Sequence, residues 1–107
     1  MKKKGTKNFV LSQILDIDRI ASIHNQVIEW LRHRNHIDIA FQDVNKVDTS
    51  FLQWFIAFIR TAKLKPYTVA ICGAIPSELI SRWELIGIST PFYDFLKENQ
   101  VTLSEEG

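Results

Sequence analysis

Two hydrophobic rhythms alternate along the chain. Apolar residues at every second position mark strands with one buried face, and apolar residues recurring at three and four mark helices. The stretch Phe9–Leu15, with Val10, Ile14 and Leu15, predicts a first strand. Asp16 and Asp18 follow as candidate N-caps, and Ile20, Ile23, Val27, Ile28 and Leu31 fall at helical spacing. That spacing predicts an amphipathic helix ending near Arg34 and Asn35. Ile37, Ile39 and Phe41 alternate with Asp38 and Ala40, a second strand. A short polar loop should then lead through Val47, Asp48, Thr49 and Ser50 into a strongly apolar helix running to about Leu64, with Pro66 terminating it. Thr68–Cys72 reads as a third strand, apolar enough to be buried on both faces and closed by Gly73. Pro76, Ser77 and Glu78 open another helix, striped by Leu79, Ile80, Trp83 and Ile86 and ended by Gly87. Residues 88–95, interrupted by Pro91, are expected to form an edge strand or extended segment before a short helix or turn.

Strand and helix alternate throughout, which predicts an α/β fold: a mostly parallel four-stranded sheet with flanking helices in a single domain. Its expected bounds are residues 9–98, between a flexible basic tail at 1–8 and a C-terminal tail at 99–107. The length of 107 residues suits one core, and 46% hydrophobic with 23% charged residues fits a folded chain rather than a disordered one.

Charge and chemistry narrow the function classes. A formal net charge of +1, with Lys2, Lys3 and Lys4 as the one basic run, supplies no footprint for nucleic acid. Cys72 is the lone cysteine, so no intramolecular disulfide forms, and a reducing compartment is expected. No apolar run approaches a membrane span, and Gly5, Thr6, Lys7 and Asn8 follow the lysines where a signal peptide would turn hydrophobic. The expectation is a cytoplasmic protein with no direct membrane insertion. His24, His33 and His36 lack zinc-ligand spacing, and Gly5, Gly73, Gly87 and Gly107 form no phosphate-cradling cluster. No metal, cofactor or catalytic residue is therefore expected. The alternative from the enzyme class is a small hydrolase using Cys72 or Ser50, for which no base or oxyanion arrangement can be named.

Asp48, Thr49 and Ser50 are helix-opening residues, and free N–H groups at a helix start also favour an anion. Their context resembles the STAS domain family, over roughly residues 9–95. Val47, Asp48, Thr49 and Ser50 resemble the family's hydrophobic-Asp-Ser-Ser/Thr signature, and Ile37, Asp38 and Ile39 its hydrophobic-Asp-hydrophobic strand. Leu52, Phe55, Ile56 and Ala62 fall where its helix carries leucines and an alanine. The run from Thr68 to Gly73 resembles its glycine-ended strand, and Leu85, Gly87, Ile88 and Phe92 its closing pattern.

The resemblance implies a STAS-like fold and a non-enzymatic protein-interaction module. The leading expectation is an anti-sigma-factor antagonist or partner-switching regulator, with an anti-sigma factor or serine kinase as partner. Ser50, or else Thr49, takes the place of the family's phosphorylated hydroxyl. The runner-up is the STAS subunit of a bacterial lipid-transport ABC complex, docking on a permease; a homodimer stays open in either case. Where regulated members carry glycine after the hydroxyl, this chain has Phe51. The expected partner-binding residues are Asp48, Ser50, Phe51, Trp54 and Phe58. On a helical wheel Leu52, Phe55, Ile56 and Ile59 share one face, and Phe51, Trp54 and Phe58 another beside it. Two explanations stand: a neighbouring element covers the extra aromatics, or they form an exposed contact patch.

Overall fold

In a computed structural model, which describes residues 8–65 and 67–104, the predicted alternation becomes four strands and four helices. The strands are β1 (Phe9–Leu15), β2 (His36–Val47), β3 (Thr68–Cys72) and β4 (Thr102–Ser104). The helices are α1 (Ile17–Arg32), α2 (Thr49–Leu64), α3 (Ser77–Leu85) and α4 (Phe92–Glu98). The strands pair in parallel in the order β1-β2-β3-β4, giving a single α/β domain.

Strand order equals chain order, and right-handed crossovers then send every helix to the same face of the sheet. On that face Leu11, Leu15, Ile37, Ile39 and Ile71 are essentially buried. They meet Ile23, Val27 and Leu31 of α1, Leu52, Phe55 and Ile59 of α2, and Leu79 and Trp83 of α3. Trp83 donates its indole N–H to the Thr90 carbonyl at 2.8 Å, so its one polar atom is satisfied inside the core. The opposite face of the sheet carries exposed Val10, His36, Gln42, Thr68 and Thr102. β3 is buried on both faces at its centre, Val69, Ala70 and Ile71, and opens at its ends, where Thr68 is exposed and Cys72 half-buried.

Three local expectations are corrected. The polar loop before α2 is strand: β2 continues to Val47. It does so by carrying extra residues, since Ser12, Gln13 and Ile14 pair with Gln42, Val44 and Lys46, leaving Asp43 and Asn45 unmatched. Bulges of this kind break the alternation that makes a strand legible, and Gln13 and Asp43 adopt positive φ values of 64° and 53° to accommodate them. Of the edge strand or extended segment expected at residues 88–95, residues 88–91 form no strand and α4 begins at Phe92, with Phe92, Phe95 and Leu96 as a buried stripe at helical spacing behind Pro91. The fourth strand lies later, at Thr102–Ser104, inside the stretch expected to be a tail at 99–107. The expectations placed on Lys2, Lys3, Lys4 and Pro66 fall outside the described residues. Among the described residues no helix is long and apolar enough to cross a membrane.

Candidate functional site

All four strands end at the same edge of the sheet, where α1, α2 and α3 begin. Asp48 sits between Val47, the last residue of β2, and Thr49, the first of α2. Its backbone is extended, and its carboxylate serves two helices. Oδ1 accepts from the Phe51 N–H at 3.0 Å, the capping bond of α2. Oδ2 accepts from the Ile17 N–H at 3.2 Å, the first residue of α1. The Asp48 N–H in turn donates to the Leu15 carbonyl at 3.1 Å. One side chain therefore joins the ends of β1 and β2 to the starts of α1 and α2. The positive end of α2 is already met by the chain's own carboxylate.

This geometry redistributes the roles expected of the motif. Asp48 is the cap. Thr49 and Ser50 are the first two helical residues, each half-buried, and neither hydroxyl forms a hydrogen bond among the described residues. Phe51 is fully buried, stacked on Phe55 with centroids 5.9 Å apart and close to Trp54 at 5.8 Å. It cannot be a partner-binding residue in the folded state. The reason is angular: Phe51 and Phe55 stand four residues apart, nearly one above the other on a helix, so Phe51 widens the core stripe.

Trp54 and Phe58 remain at the surface, half-buried. Their rings lie parallel, 5.3 Å apart and 2° from coplanar orientation. Trp54 Nε1 donates to His24 Nδ1 of α1 at 3.1 Å. Beside them an apolar cavity of about 140 Å³ runs between α1 and α2, lined by Ile28, Leu31, Ala57, Phe58 and Tyr67. The structure thus brings Thr49, Ser50, Trp54 and Phe58 onto one helix with half-exposed side chains, held by Asp48, and removes Phe51 from the group.

Arg82 of α3 is half-buried and donates from Nε to the Val47 carbonyl at 3.0 Å. It borders a polar cavity of about 290 Å³ with Asn45, Lys46, Ser77 and Ser81. No pattern in the sequence signals this, because the contact joins residues 35 apart through tertiary packing. The histidines occupy separate settings: His24 meets Trp54, His33 meets Glu29, and His36 contacts Asp38 at 2.9 Å and the Thr68 hydroxyl. Among the described residues no three His, Cys, Asp or Glu side chains are grouped to hold a metal ion. Comparison with protein-family models, with curated proteins and with solved structures finds no match for this chain.

Proposed function

We propose that the protein is a non-enzymatic recognition module of the STAS type, an anti-sigma-factor antagonist or partner-switching regulator. Its contact face is the start of α2: Thr49 and Ser50, with Trp54 and Phe58 one and two turns further along. The observation that carries this reading is the state of those side chains. Asp48 fixes the backbone on both helices, so two unengaged hydroxyls and a stacked aromatic pair are presented on a rigid element. Trp is among the residue types enriched at binding hot spots. The sheet order lends further support. Among the described residues the order β1-β2-β3-β4 gathers the helices on one face, so α1 and α2 lie side by side and Asp48 holds both.

Ser50 is the proposed phosphorylation site. A phosphate there adds roughly two negative charges at a position two residues from the Asp48 carboxylate. Asp48 already occupies the Phe51 and Ile17 N–H groups, so the two anions compete and repel. The switch would act by disturbing the clamp and recharging the contact face together. The apolar cavity beside Trp54 favours a second reading, in which a helix of an ABC permease docks on the same face and Ser50 stays unmodified.

Affinity purification from native cells, with phosphosite mapping of the peptide containing Ser50, tests both. Capture of a serine kinase or anti-sigma factor that is lost with a Ser50→Glu bait supports the first reading. Capture of a permease, with unmodified Ser50, selects the second. Partners retained equally by wild type, Ser50→Glu and Trp54→Ala would refute the contact face altogether.

A further inference from the structure

An indole has one N–H donor and no acceptor. Trp54 spends that donor on His24 Nδ1, reaching from α2 across to α1. A ring nitrogen that accepts carries no proton, so the bond can form only when His24 Nδ1 is unprotonated. The two rings meet edge to face, at 6.5 Å and 90°. Trp54 is also laid flat on Phe58. His24 itself is exposed and open to protons from bulk water.

The surroundings offer little to an imidazolium. On α1 the residues one turn either side of His24 are Ile20, Ala21, Val27 and Ile28. From α2 the facing wall is Trp54, Ala57, Phe58 and Thr61, and Tyr67 at the entry to β3 is the other titratable group on the groove. Among the described residues no carboxylate, lysine or arginine lines it.

We propose that His24 is a proton-sensitive latch on the Trp54 face. Neutral imidazole holds the indole; imidazolium releases it. Protonation places an N–H on Nδ1 opposite the Trp54 N–H, two donors with no acceptor between them. The imidazolium turns to water, the indole loses its tie to α1, and a cation stands at the rim of an apolar surface. The latch is closed while Nδ1 is unprotonated and opens when Nδ1 takes a proton. Both consequences weaken docking of an apolar partner, by lost preorganisation and by the cost of desolvating a charge. That last step rests on Trp54 belonging to the contact face; the latch itself does not.

Proton–nitrogen NMR of the isolated protein tests it. Loss of a signal in Trp54→Phe assigns the Trp54 indole, and loss of a ring signal in His24→Gln assigns His24. Between pH 8 and about pH 5 the Trp54 indole proton should move upfield, toward a solvated indole, with the midpoint of the His24 ring. The Trp83 indole, bonded to the Thr90 carbonyl, should not follow. In His24→Gln the amide oxygen accepts the bond without titrating, and the Trp54 signal should stay fixed. A Trp54 indole that is static while His24 titrates, or that still moves in His24→Gln, overturns the proposal. Failure of the contact-face reading shows elsewhere, as partner binding indifferent to Trp54→Ala, and leaves this titration unchanged.

Discussion

At the scale of the residue, Asp48 does the most with the least. A single N-cap contributes about 1 kcal/mol, up to about 2, and this carboxylate answers free N–H groups on two helices. Asp48→Ala should therefore destabilise by about 2 kcal/mol, at the upper end of that range, read as a lowered urea midpoint with an unchanged slope. Asp48→Asn keeps an acceptor oxygen and should recover most of the loss. Phe51 and Trp54 separate by the same logic of burial. Phe51→Ala empties a fully buried site and should cost about 3–5 kcal/mol, whereas half-buried Trp54→Ala should leave a cooperative folded monomer by circular dichroism. Gly87 has a φ of +80° at the end of α3, with open space where a Cβ would stand. Gly87→Ala should thus cost about 1–2 kcal/mol from backbone strain alone, with no steric loss added; thermal melts measure it.

At the scale of the element, legibility tracks periodicity. α2 is readable because Leu52, Phe55 and Ile59 repeat at helical spacing between a cap and a proline. β1 and β3 are readable with the same bounds that the structure shows, Phe9–Leu15 and Thr68–Cys72. β2 is readable only to Phe41, because the unmatched Asp43 and Asn45 shift the register and turn its last six residues into an apparent polar loop. β4 has three residues, too few to show any period, and it is held by pairing with β3. α4 is obscured by Pro91, which reads as a breaker in a strand and is in fact the residue before the helix. In the candidate site the hydroxyls and the Trp54–Phe58 pair are visible as residue types. The bond to His24, the reach of Asp48 to Ile17 and the approach of Arg82 are not, because each joins residues about thirty or more positions apart.

At the scale of the whole molecule, the consecutive strand order dictates where the helices and the open surface lie. It gathers the helices on one face, so α1 and α2 lie side by side and can share Asp48 at their starts and the His24–Trp54 bond along their length. Among the described residues no helix lies on the other face of the sheet, where Val10, His36, Gln42, Thr68 and Thr102 are exposed and Ala70 is buried. The proposed contact face lies in the helical layer, at the start of α2. A binding assay with the captured partner, comparing wild type, Ser50→Glu and Trp54→Ala of verified fold, tests this most directly. Each substitution should weaken binding at least tenfold while circular dichroism and the urea midpoint show both variants folded. Undiminished binding by both folded variants would contradict a contact face at the start of α2.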